Sequence, residues 1–137
     1  KWPGRLEVLS ECPWVVLDGA HNEDGFCALN RAMEELWPQK KIIGLFAVLD
    51  DKAAEKLQTV FAKLSALIIT TVQSPRAKDW TRIASYAPEG IPVYKIEDLA
   101  EAYQQARALC TEKDLLLAAG SLYMIGELRG LILGEKS

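Results

Sequence analysis

The chain has 137 residues, 50% of them hydrophobic and 26% charged, with a formal net charge of −3. That composition excludes a disordered or fibrous chain, and no apolar stretch is long enough to span a bilayer. Mild acidity also excludes general nucleic-acid binding, which needs a basic stripe against phosphates.

Strand-like and helix-like patterns alternate along the chain. RLEVL (5–9) alternates as a strand, and WVVLD (14–18) reads as a short buried strand. Phe26, Leu29, Met33 and Trp37 recur at helical spacing before Pro38 stops them. KIIGLFAVL (41–49) is a buried strand, and Ala53, Leu57, Val60, Phe61 and Leu64 mark the next helix. ALIITTV (66–72) is a strand, and KDWTRIASYA (78–87) a short helix closed by Pro88 and Gly90. PVYKI (92–96) is a strand, with Glu97 and Asp98 favouring a helix start. Leu99, Ala102, Tyr103, Ala106 and Leu109 carry that helix, and DLLLAAG (114–120) is the last strand. Leu122, Ile125, Leu128 and Ile132 mark the final helix.

About six strands and about five helices then follow βαβ order after an initial hairpin-like pair. Continuously apolar strands between amphipathic helices predict an α/β domain over 1–137: a Rossmann-like three-layer sandwich with helices on both faces. Its sheet should be mostly parallel, with the first strand antiparallel.

In such sheets ligands sit beyond the carboxyl ends of the strands. Asp18-Gly19-Ala20-His21-Asn22 follows the second strand, and Leu49-Asp50-Asp51-Lys52 the third. Gln73-Ser74-Pro75-Arg76 follows the fourth strand and Gly120-Ser121 the last. A parallel sheet would gather these polar groups at one crevice. Asn22 and Ser121 also suit helix caps, and Asp50 and Asp51 suit first-turn acids beside the helix dipole. Asp50, Ser74 and Arg76 are read as structural. Asp18 and His21 are read as functional, because an acid ending a buried strand and an imidazole at a helix start are poor packing choices. The helix N-terminus disfavours a cationic imidazole, so His21 should be neutral, able to donate or accept. Asp18 offers acceptors for a ribose diol, and Arg5, before the first strand, a planar fork for phosphate.

Cys12, Cys27 and Cys110 are odd in number and widely spaced, without a C-x-x-C pair. With no signal-type opening, they predict a reducing, cytoplasmic location. A single His and no cysteine cluster make a metal site within this chain an unexpected feature. Neither a G-x-x-x-x-G-K-[ST] nor a G-x-G-x-x-G phosphate cradle is present.

WPGRLEVL, VVLDGAHN, LDDKAAEKL, SPRA and AAGSLYMIGELR stand in that order along the chain. Together they resemble the C-terminal domain of folylpolyglutamate synthases and the related dihydrofolate synthases, within the Mur ligase superfamily. The resemblance implies an ATP-dependent, amide-forming ligase. It phosphorylates a folate carboxylate, and the amine of L-glutamate then attacks the acyl phosphate. It implies ATP and Mg2+ as cofactors, with the magnesium ligands and the phosphate loop in a larger N-terminal ATPase domain that this chain lacks. That domain, ATP, L-glutamate and folate would be the partners of a monomeric enzyme that is inactive as this chain alone. Carried over by residue, Arg5, Asp18, His21 and Asn22 would bind the nucleotide, with His21 also catalytic. Asp51, Lys52 and Ser121 would lie towards the glutamate. Two departures stand out: Glu23 occupies a position where proline is common, and Ala53 one where an acid is common. The alternative is a non-catalytic flavodoxin-like receiver or binding module. A receiver needs a Lys after its last strand, whereas this chain has Gly120-Ser121.

Overall fold

The computed structural model describes residues 6–47, 54–71 and 80–135. Arg5, Asp50, Asp51, Lys52, Ala53, Ser74 and Arg76 lie outside the described residues.

The hairpin expected at the start is formed by β1 (Glu7–Glu11) and β2 (Trp14–Leu17), which pair antiparallel with a register shift between Val8 and Ser10. α1 (Glu23–Leu36), β3 (Ile42–Phe46), α2 (Ala54–Phe61), β4 (Leu64–Ile69) and α3 (Trp80–Ala84) follow. β5 (Val93–Lys95), α4 (Leu99–Leu109), β6 (Leu115–Ala119) and α5 (Leu122–Glu135) complete the chain. The sheet order is β1-β2-β6-β3-β4-β5, and every pairing after the hairpin is parallel.

β6 returns to the middle of the sheet, so its sequence LLLAA is buried on both faces. Alternate strand residues divide between two cores. Val16, Ile42, Phe46, Leu67 and Leu117 pack under α1, α2 and α3, against Phe26, Leu29, Met33, Leu57, Phe61 and Ile83. Val15, Leu17, Ile43, Leu45, Ile68 and Leu116 pack under α4 and α5, against Leu99, Tyr103, Met124, Ile125 and Leu128. Period-2 alternation in the strands thus feeds both helical layers. Phe46 and Phe61 meet edge to face, with centroids 5.0 Å apart, a geometry worth about 0.5–1.5 kcal/mol beyond the area buried.

Several element boundaries differ from the sequence reading: β1 runs on to Glu11, β4 stops at Ile69 and α3 at Ala84, and one difference changes a residue's element type. Leu64 continues the helical spacing of Leu57, Val60 and Phe61, yet it opens β4. The helix ends at Phe61, and Ala62-Lys63 make a tight turn through Ala62 N to Gln58 O and Lys63 N to Val60 O. No glycine or proline marks that stop. Among the described residues, no helix is long and apolar enough to cross a membrane.

Candidate functional site

β2 and β6 are parallel neighbours whose following helices pack on opposite faces of the sheet. The loops leaving them therefore diverge at a topological switch point, the place where ligands bind in such sheets. Asp18, His21 and Asn22 leave β2, and Gly120 and Ser121 leave β6.

Asp18 is 9% exposed and its carboxylate organises the loop. Oδ1 accepts the Ala20 N–H at 2.7 Å, and Oδ2 accepts the Leu6 N–H at 3.2 Å. Leu6 has φ of 45°, a left-handed conformation uncommon outside glycine, and this bond helps to hold it. Strand β2 is also extended past its end by Asp18 N donating to Ala118 O.

His21 is exposed, and its Nδ1 lies 2.9 Å from Gly19 O. A carbonyl oxygen only accepts, so Nδ1 carries the hydrogen and donates it. In the neutral ring that tautomer leaves Nε2 as the acceptor. Asn22 is the N-cap of α1: its Oδ1 accepts the Gly25 N–H at 2.9 Å. Ser121 is 2% exposed, and its Oγ accepts the Met124 N–H at 3.3 Å at the start of α5. The capping role open to Asn22 and Ser121 from sequence is therefore realised in both. Arg5, Asp51 and Lys52 lie outside the described residues.

The two loops are joined by main chain. Gly120 N donates to Ala20 O at 2.8 Å, and Ala47 N, just past β3, donates to Ala119 O at 3.3 Å. The sequence reading passed over Ala20 and Ala47. Their signal is small size at the ends of adjacent strands, where backbones approach closely. The N-termini of α1 and α5 both begin at this rim, which gives it the partial positive charge of orphan N–H groups. Leu122 and Tyr123 stand exposed beside it, Tyr123 at 80%. Among the described residues no group of three His, Cys, Asp or Glu is gathered that could hold a metal ion.

Residues 4–122 match the family described as Mur ligase, glutamate ligase domain. The chain is 32% identical to the folylpolyglutamate synthase of Lacticaseibacillus casei, over 99% of this chain and 31% of that enzyme. Among solved structures, Mycobacterium tuberculosis folylpolyglutamate synthase complexed with ADP and AMPPCP superposes with a TM-score of 0.79 at 27% identity. That match covers 96% of this chain and 32% of the other. The bifunctional folylpolyglutamate synthase/dihydrofolate synthase of Yersinia pestis, complexed with AMPPNP and Mn ion, shares the fold, with a TM-score of 0.83 at 22% identity. It covers 96% of this chain and 32% of that one. The chain thus spans about a third of the length of these relatives. The receiver-like alternative finds no counterpart in these matches.

Proposed function

The chain belongs to the Mur ligase family's glutamate ligase domain, and from that premise we propose that it is the C-terminal domain of an ATP-dependent ligase adding L-glutamate to folate. The observation that carries the reading is the rim at the ends of β2 and β6. There an oriented carboxylate, a tautomer-fixed imidazole and two helix N-termini lie on loops joined through Ala20 and Gly120.

The chemistry that such a domain serves has two steps. The γ-phosphoryl group of ATP passes to the folate carboxylate, giving an acyl phosphate and ADP. The glutamate amine then attacks the acyl carbon, the amide forms, and inorganic phosphate leaves. In this reading Asp18, oriented by its two backbone bonds, takes the ribose hydroxyls. In the neutral ring His21 presents the Nε2 lone pair to the amine that must lose a proton; towards the nucleotide phosphates Nε2 would donate only once it carries a proton itself. Asn22 lines the phosphate side with the first turn of α1, and Ser121 holds the start of α5 towards glutamate. Arg5 is assigned to the phosphates, and Asp51 and Lys52 to the glutamate side.

The same reading places a phosphate loop and Mg2+ ligands in an N-terminal ATPase domain of a longer, monomeric, cytoplasmic enzyme. The shares of the relatives covered by this chain support that division. The test is turnover by the longer enzyme with ATP, L-glutamate and a folate, following phosphate release and product mass. Dihydropteroate as the acceptor tests dihydrofolate synthesis in the same assay. His21→Ala and Asp18→Ala are each expected to lower kcat/KM roughly tenfold or more, the loss of one well-placed polar contact. Near-wild-type activity in both variants would remove the assignment.

A further inference from the structure

Gly120 is squeezed between the two strands that flank β6. Its φ is +111°, and a Cβ built on it would lie 2.4 Å from Ala47 O and 3.0 Å from Ala47 C. Those atoms are main chain at the end of a central strand and cannot move aside as a flexible side chain could. On the opposite side, Gly120 N is tied to Ala20 O at 2.8 Å, two residues after Asp18 and one before His21. Gly25 presses on the far side of the same loop, where a Cβ would lie 3.2 Å from Ala20 Cα. Ala47, Gly120, Ala20 and Gly25 therefore form one transverse line of close backbone contact across the rim. Ser121 and His21 sit immediately beside it.

We propose that Gly120 is a positioning residue, a backbone spacer that fixes the separation between the His21 loop and the Ser121 end of α5. This rests on the ligase reading of the rim. A side chain at 120 must displace the chain from Ala47 by about 1 Å to reach ordinary contact. It carries Ser121 and the first turn of α5 with it, and pushes on the Ala20 peptide that leads to His21. A misplacement of about 1 Å is enough to cost up to about a hundredfold in rate without direct contact with substrate.

Gly44 supplies the control. A Cβ there would lie 2.6 Å from Leu64 Cδ1, a clash inside β3, away from the rim, that the Leu64 side chain can partly relieve. Gly120→Ala and Gly44→Ala are compared in the longer enzyme by thermal unfolding and by kcat and KM for L-glutamate and ATP. Both are expected to lower Tm. Gly120→Ala alone is expected to lower kcat/KM for L-glutamate, by tenfold or more, with a raised KM. A kcat/KM for Gly120→Ala within twofold of Gly44→Ala overturns the proposal. Should Gly120→Ala fail to fold, Gly25→Ala replaces it, since alanine suits a helix better than glycine and this variant should fold. It is expected to shift KM in the same direction by a smaller factor, and an unchanged KM overturns the proposal. Absence of ligase activity in the wild-type enzyme would instead defeat the functional reading. The spacer is then judged in this chain by NMR: displaced His21 ring and Ser121 amide signals in Gly120→Ala, but not in Gly44→Ala, sustain it, and undisplaced ones overturn it.

Discussion

At the scale of single residues, Asp18 orders its loop and, in the proposed function, also takes a ligand, two roles that one substitution would confuse. Alanine removes the acceptors of both Leu6 N and Ala20 N, so part of any activity loss would be a loosened loop. Asparagine keeps one oxygen of similar reach and loses the charge. The amide NH2 that replaces the other oxygen cannot accept, so Asp18→Asn gives up one of the two backbone bonds and should lower Tm less than Asp18→Ala; an activity loss in Asp18→Asn as large as that in Asp18→Ala at this smaller Tm loss would mark the ligand role. The sequence pointed to Asp18 and His21 because each is a costly choice at its place. It did not point to their partners, because Leu6 N and Gly19 O are main-chain groups that carry no residue signature. The cysteines also diverge at this scale. Burial, followed by the nearby Asp114 charge, pushes the Cys110 thiol up from 9.0 to about 11, while Cys12 is exposed. A thiol raised that far holds only about a hundredth of the ordinary thiolate fraction near pH 8, so Cys110 should alkylate far more slowly than the exposed Cys12. Peptide mapping after iodoacetamide treatment reads this, and equal labelling of the two would contradict it. The fold holds Cys110 protonated. This contribution to stability is fully present below pH 9 and is lost as pH rises through about 11. Cys110→Ala should flatten the fall of Tm over that window.

At the scale of elements, most boundaries followed from period and punctuation. Pro38 ends α1 where the apolar spacing ends, and Asp98 caps α4 by accepting the Glu101 N–H at 3.0 Å. Leu64 failed for a physical reason: the spacing of Leu57, Val60, Phe61 and Leu64 satisfies helical periodicity whether or not the chain turns at Ala62. α5 succeeded against its own propensity. Gly126, Gly130 and Gly134 each cost about 0.8–1 kcal/mol relative to alanine, and the helix persists because Met124, Ile125, Leu128 and Ile132 are buried. It is also clasped to β1. Arg129 Nε lies 3.0 and 2.9 Å from the two carboxylate oxygens of Glu7, which joins the edge strand to the last helix. The Arg129 side chain is 42% exposed and that of Glu7 18%, so solvent screens the pair in part; it is worth about 1 kcal/mol and weakens with salt. Urea unfolding of Glu7→Gln should show a small loss of stability at low ionic strength that shrinks in high salt. A loss that is large and indifferent to salt would mean that Glu7 acts through packing.

At the scale of the whole molecule, the sequence yielded the number and kinds of layers but not the sheet order. Periodicity says that 114–120 is buried on both faces; it does not say that this strand inserts between β2 and β3. Yet that insertion brings Gly120 to Ala20 and makes two distant loops into one rim. The rim has helix N-termini, a carboxylate and an imidazole, but the sequence offers no phosphate cradle to close around a triphosphate. The two layers of core on either side of one sheet should let this 137-residue chain unfold in a single cooperative transition. Nucleotide affinity should then be the part missing from the isolated chain. With a dissociation constant of about 1 mM or weaker, ATP at about 1 mM adds no more than about 0.4 kcal/mol, a rise in Tm of about 1–2 °C. Thermal unfolding of the isolated chain with and without ATP measures this. A rise well beyond about 5 °C would mean that this domain grips the nucleotide unaided, and the division of the site between two domains would have to be abandoned.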